Sequence, residues 1–337
     1  MAAFGHISTD VLYVVQHVCE SFPIGKLKGL SRKLGGSFNL NVKIETTEGE
    51  FAVRILGRAN TEEHLRYVQL ALAALNRYGV PALTPILAVD GEPYCRIYEK
   101  LVQVTPFIHG GDFKNFPNQA YSSAAMLSRF HRTLQAAGRE LVQRPGQGPM
   151  PAWSFYAAPD YYARALDRLK ELPEIPVYEL YKAEKLALRI GELWEQSQDR
   201  LPDAILHGDW HLWNQLYAPE TGDVACVLDF DCIQTGKRIL DIAYTLWSVY
   251  ILLPRHASRL ERPIVNGYSG MTDEELRMLP VAIAKISLFF LCHAAYAEKP
   301  DEKWRRQYRK QLPLIEWLLA DGERRFAELA TADEAGT

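Results

Sequence analysis

HGDWHLWNQLY, His207 to Tyr217, places two histidines, an aspartate and an asparagine within eight residues. Histidines four apart occur in helical zinc motifs, but those require a glutamate directly after the first histidine, and here that position is Gly208. Glycine followed by aspartate also disfavours a helix, and no third ligand stands at a useful spacing. The chemistry therefore falls on the other polar residues. The Asp209 carboxylate is suited to accept a proton from a hydroxyl nucleophile, and five residues later Asn214 offers a neutral oxygen. Fifteen residues further on, the apolar run that begins at Val224 ends at Asp229 within LDFD. Hard oxygen donors of this kind suit Mg²⁺. A base, an amide oxygen and a second carboxylate are the parts that a phosphoryl-transfer site uses to align an acceptor hydroxyl and neutralise the transferring group. A calcium loop starting at Asp229 fails, because its sixth residue is Gln234 and its twelfth is Leu240.

Upstream, GGSFN (Gly35–Asn39) precedes a β-like run at Phe38–Glu45, and a second run covers Phe51–Leu56, with Gly49 as the turn residue between them. The glycine pair reads either as a plain turn or as backbone that approaches phosphate closely. FAVR (Phe51–Arg54) alternates, so that Ala52 and Arg54 share one face of a strand. That face suits either a flat base beside its phosphates or an ordinary surface arginine. TEEHLRYVQLALAALNRYG predicts a helix capped at Thr61 or Asn60, with Leu65, Val68, Leu72 and Leu75 as its apolar stripe. Strands follow around Asp90-Gly91. Beyond His109 the pattern is helical: Tyr121–Ala137, Tyr161–Glu171, Tyr178–Ser197, Ile239–Leu253 and a C-terminal group opened by the capping box Thr272-x-x-Glu275. A first helix after Ser8 precedes Pro23.

The fold class predicted is α+β: a small β-rich N-terminal lobe, residues 1–101, a connector, 102–110, and a larger, mainly helical lobe, 111–337. A net charge of −3 gives no sign of nucleic-acid binding. Five dispersed cysteines without a CxxC pair point to a reducing, cytoplasmic setting. No signal peptide is read at the N-terminus. The apolar stretch Leu279–Tyr296 carries Lys285 and His293 and reads as a buried helix, so no membrane partner is expected.

In this order the segments resemble the aminoglycoside-phosphotransferase and type II homoserine-kinase superfamily, which has a bilobal protein-kinase-like fold. The resemblance runs from about Leu34 to Val249, and its most specific part is HGDxHxxN followed by LDFD. It implies Asp209 as catalytic base, Asn214 and Asp229 as Mg²⁺ ligands, and Asp241 of ILDIAYTLW as support for the catalytic-loop backbone. It implies nucleotide contacts, to ATP or GTP, from Gly36, Ser37, Asn39, Ala52 and Arg54 and from the hinge residues Thr105 and Phe107. It also implies a small-molecule hydroxyl acceptor and a monomer or homodimer. Arg54 stands where the family carries lysine, Trp213 where glycine is common, and Glu62, Glu63 and Gln69 compete without a clear winner as the helix partner of Arg54.

The aromatic residues Trp153, Phe155, Tyr156, Tyr161, Tyr162, Trp247 and Tyr250 fit either an acceptor pocket or helix packing. Trp210 and Trp213 leave the same choice open. The alternative function is a kinase-like binding protein that has lost catalysis, against which the retention of Asp209, Asn214 and Asp229 argues.

Overall fold

The computed structural model describes residues 9–34, 39–57, 60–142 and 160–331. The chain divides into two compact units. One comprises Met1–Gly110, Ala136–Ala152 and Cys226–Asp231, and the other comprises Gly111–Gln135, Trp153–Ala225 and Cys232–Thr337.

The first unit is built on a five-stranded antiparallel sheet. Its strands are β1 (Leu27–Leu34), β2 (Leu40–Thr46), β3 (Gly49–Ile55), β4 (Cys95–Ile97) and β5 (Lys100–Pro106), in the order β1-β2-β3-β5-β4. Alternation decides which side is buried. Val42 and Ile44 of β2, Phe51, Val53 and Ile55 of β3, and Val102 and Val104 of β5 enter one core. Val11, Val14, Val15 and Val18 of helix α1 (Thr9–Ser21) cover that core. Helix α2 (Glu62–Arg77) follows β3 and is capped by Thr61, whose side chain accepts from the His64 N–H, and the predicted stripe Leu65, Val68, Leu72 and Leu75 is buried. The capping residue Ser8 predicted for α1 lies outside the described residues.

Two expectations needed correction here. Asp90-Gly91 is a turn in the segment before β4, but the strands β4 and β5 pair across Tyr98 and Glu99, where Tyr98 takes a positive φ of 52°. The strand β1 was not foreseen at all.

The second unit is helical. It contains α3 (Pro117–Val142, whose last turns belong to the first unit), α4 (Asp160–Lys170), α5 (Val177–Ser197), α6 (Ile239–Leu252), α7 (Ala257–Gly267), α8 (Asp273–Cys292) and α9 (Pro300–Thr331). The capping box opens α8 as predicted, with Thr272 and Glu275 reciprocally bonded to backbone N–H groups. By length and composition, Asp273–Tyr296 could cross a membrane, but 83% of its apolar window is buried, which marks it as a core helix. Short strands interrupt the helices: β6 (Asp203–Leu206) pairs with β9 (Gln234–Lys237), and β7 (Gln215–Tyr217) pairs with β8 (Val224–Val227). The strand β6 delivers the chain directly into His207.

Candidate active site

In the first unit, antiparallel register assembles one polar sheet face. Ala52 is opposite Lys43 on β2 and Thr105 on β5, and Arg54 is opposite Gln103. Directly opposed residues share a face, so Ala52, Arg54, Thr105 and Lys43 lie together while Phe51 and Val53 point into the core. Phe107 continues from β5. Its N–H donates to the Glu50 carbonyl at 3.0 Å, and the Lys43 ammonium sits 4.0 Å from the centre of its ring. The Thr105 hydroxyl is buried and has no hydrogen-bond partner among the described residues. Buried hydroxyls are ordinarily satisfied, so this atom is available to a ligand lying over Ala52. Asn39 donates to Asp231 and accepts from the Gly57 N–H at 3.0 Å. Its amide therefore braces the start of β2. Gly36 and Ser37 lie outside the described residues.

Arg54 resolves the question of the helix partner. Its Nη2 donates to Asp229 Oδ1 at 3.2 Å and to Asp231 at 3.0 Å. Burial opposes its charge, but Asp231 and Asp229 outweigh that and hold its pKa above the ordinary arginine value. Glu62 is occupied elsewhere, by Arg66, Arg96 and the Tyr94 hydroxyl. Among the described residues the buried Gln69 side-chain oxygen has no partner, and no ion pair joins Glu63 to Arg54. Asp229 itself has φ 58°, a left-handed conformation that aspartate tolerates better than most residues. His64 on α2 reaches the backbone carbonyl of Asp231 through Nε2 at 2.9 Å. Burial pushes its pKa down, so the neutral ring donates. Neither His64 nor Asp231 was singled out as a partner from sequence.

In the second unit, the loop after β6 is pinned from α6. Asp241 is fully buried and accepts from the His207 N–H at 2.8 Å and the Gly208 N–H at 2.9 Å, while His131 of α3 lies 3.0 Å from the same carboxylate. This is the loop-supporting role implied by the resemblance. Gly208 has φ +80°, and a Cβ there would lie 2.2 Å from the Cys232 carbonyl oxygen. Both facts require glycine.

The anchored loop presents Asp209. The Asn214 amide nitrogen donates to the Asp209 side chain at 3.0 Å and to its backbone carbonyl at 2.9 Å. The Tyr244 hydroxyl, from α6, also donates to the carboxylate. Burial first, then the Asp209 charge, raises the Tyr244 pKa well above the ordinary tyrosine value, so that hydroxyl stays protonated as a donor. With its nitrogen engaged by Asp209, Asn214 has its amide oxygen left for a cation.

The histidines are scaffolding. His207 is fully buried, and its Nδ1 accepts from the Asp209 N–H at 3.3 Å. His211 accepts from the Trp213 N–H, and burial, aided by His207, brings its pKa to about 4. Among the described residues no group of three or more His, Cys, Asp or Glu side chains is placed to hold a metal. Hard oxygens remain. The Asn214 amide oxygen in the second unit and the Asp229 carboxylate in the first are each of the hard donor class that suits Mg²⁺.

The two tryptophans differ. Trp210 has no exposed surface, and its indole donates to Ser123 at 3.1 Å, which in turn donates to Gln215 at 2.8 Å. Trp210 therefore packs the loop. Trp213 is 38% exposed and meets Phe113 edge-on at 5.8 Å.

Residues 30–273 match the phosphotransferase enzyme family. The chain belongs to this family. Its fold is that of small-molecule kinases of known structure. One is a microcompartment-associated aminopropanol kinase, with a TM-score of 0.72 at 17% identity over 94% of this chain and 99% of that one. Another is an amicoumacin kinase in complex with AMP-PNP and Ca²⁺, with a TM-score of 0.67 at 14% identity over 90% of this chain and 93% of that one. A homoserine kinase of Gluconacetobacter diazotrophicus is 24% identical over 306 residues, 88% of each chain. The chain is thus a phosphotransferase, with the α+β fold expected from its motifs.

Proposed function

We propose that this phosphotransferase moves the γ-phosphoryl group of ATP or GTP to a hydroxyl of a small molecule, with Asp209 as the base. The observation that carries the reading is the double restraint on the Asp209 carboxylate. Asn214 and Tyr244 both donate to it, and Asp241 fixes the backbone just before it. A base held in one geometry is what aligning a hydroxyl nucleophile requires.

The acceptor oxygen bonds to the γ-phosphorus as the bond from that phosphorus to the bridging β–γ oxygen breaks. The nucleoside diphosphate leaves, and the acceptor proton goes to an oxygen of Asp209. Asn214 and Asp229 are the residues assigned to Mg²⁺, which when bound supplies charge neutralisation for the phosphates. Ala52, Thr105 and Phe107 are assigned to the base of the nucleotide, and Arg54 to its phosphates. The relatives named as homoserine kinase and aminopropanol kinase support short amino alcohols as the first acceptors to screen.

The deciding experiment compares wild type with Asp209→Asn, using γ-labelled ATP and a panel of amino alcohols, amino acids, sugars and aminoglycosides. Wild type should label at least one acceptor, and the variant should lose at least about a thousandfold in kcat while still binding Mg·ATP. Equal turnover by the variant would overturn the role of Asp209. Nucleotide binding without transfer to any acceptor would favour the impaired binding protein instead.

A further inference from the structure

Lys285 is the only charged residue of α8 between Pro280 and Cys292. Its ammonium lies 5.2 Å from the centre of the Tyr162 ring and 5.5 Å from that of Trp194. It forms no ion pair or hydrogen bond among the described residues. The Tyr162 hydroxyl is buried and lacks a hydrogen-bond partner among the described residues. A buried hydroxyl without an acceptor carries the full cost of leaving water, and the half-buried ammonium has no counter-ion in contact with it among those residues. Both border a cavity of about 650 Å³ between α4, α5, α8 and the β6–β9 pair, in the second unit. Its apolar wall is formed by Leu166, Leu188, Leu240 and Leu288. None of its lining residues belongs to the loop 207–217.

The acidic side chains around the cavity do not satisfy Lys285. Glu184 is paired with Lys170 at 2.8 Å and Asp203 with Lys237 at 2.9 Å. Glu192 is near Arg189 at 3.7 Å. Glu195 acts on Lys285 through space but is not in ion-pair contact with it. The cavity thus presents two donors, one cationic, beside an apolar wall formed by the four leucines. That is the complement of a molecule with one anionic acceptor group and an apolar body.

We infer that this cavity binds a small amphiphilic carboxylate, whose oxygens accept from Lys285 and the Tyr162 hydroxyl while its hydrocarbon lies against Leu166, Leu188, Leu240 and Leu288. The aromatic faces of Tyr162 and Trp194 hold the ammonium in place for the incoming anion. The inference does not rest on the phosphotransfer reading, and its test does not use turnover.

Isothermal titration of the full chain with decanoate, below its micellar concentration, tests it, with decyltrimethylammonium as the cationic counterpart. One saturable decanoate site is expected, weakened at least tenfold by Lys285→Met and several-fold by Tyr162→Phe. Leu188 is 65% exposed, so Leu188→Glu leaves the core intact and supplies a second variant should Lys285→Met fold poorly. It should weaken decanoate several-fold by placing a carboxylate on the wall. Absence of a saturable decanoate site overturns the inference. So does binding unchanged in folded Lys285→Met or in Leu188→Glu, or tighter binding of the cationic amphiphile.

Discussion

Arg54 Nη2 lies 3.0 Å from Asp231 Oδ2, so the cation of β3 is held by the second aspartate of the Asp-Phe-Asp sequence and not by an acid on α2. The same nitrogen also reaches Asp229, at 3.2 Å. That nitrogen lies one bond further from the backbone than a lysine ammonium reaches. Arg54→Lys keeps the charge but should hold only one partner well. The expected result is a three- to tenfold rise in KM for Mg·ATP, corresponding to about 1 kcal/mol, with a smaller change in kcat. Steady-state kinetics at varied nucleotide concentration check this. Asp231→Asn should move KM in the same direction, and a variant with unchanged KM would remove Asp231 from the nucleotide-side machinery.

Asp241 has no exposed surface and joins three donors: the backbone N–H groups of His207 and Gly208 and the His131 ring. Replacing it by alanine strands those donors in a buried place. The expected cost is about 3–5 kcal/mol, read as a lower denaturation midpoint in urea at unchanged slope. Asp241→Asn retains one acceptor oxygen but turns an N–H₂ towards the backbone donors, so it should recover only part of that stability. Because the loop carries Asp209, kcat should fall further than nucleotide affinity in both variants.

Much of the site was legible because its residues lie close in sequence. Asp209, Asn214 and Asp229 fall within twenty-one residues, and the Ala52–Arg54 face follows from strand alternation alone. What escaped depends on distant partners. Asp231 is 177 residues from Arg54, and no local pattern predicts that pairing. The strand β1, LKGLSRKL, escaped because its pairing with β2 shifts register twice, between Leu27 and Gly29 and between Leu30 and Arg32, which breaks the period-two pattern a regular strand would show. The pair β6–β9 escaped because each strand is four residues long and its partner lies some thirty residues away in the chain. The turn at Tyr98 escaped because an aromatic residue with positive φ carries no turn signature, whereas Asp90-Gly91 does.

Gly208 illustrates a residue whose necessity appears only in three dimensions. Its φ of +80° disfavours any L side chain, and the Cys232 carbonyl occupies the space a methyl group would need. Gly208→Ala should destabilise the second unit by about 2–4 kcal/mol, combining left-handed strain with overlap that backbone must relieve. Relief means displacing the loop between His207 and Asp209. Turnover should therefore fall at least tenfold at temperatures where the variant remains folded, checked by assaying at a temperature below its thermal midpoint. Activity equal to wild type would mean that Asp209 tolerates movement of its own backbone.

Lys285 supplies a prediction with a defined pH window. Burial lowers its pKa from the ordinary 10.5 to about 8, only partly countered by Glu195. Between those two values the unfolded chain binds the proton and the folded chain does not, so this residue makes stability rise with pH from about 8 to 10.5. Below about 8 the partly desolvated ammonium is charged and its full penalty is present. A fall of that size corresponds to ~3 kcal/mol against the charged form, and solvent entering the cavity should reduce the realised cost to ~1–2 kcal/mol. Lys285→Met removes the charge and keeps a flexible apolar side chain of similar length. It should therefore raise the thermal midpoint at pH 7 and flatten the Lys285 contribution between pH 8 and 10.5, both measurable by calorimetry across that range. A carboxylate ligand works in the opposite direction. Decanoate paired with the ammonium favours the charged form, so at pH 7 it should raise the wild-type midpoint and leave that of Lys285→Met nearly unchanged.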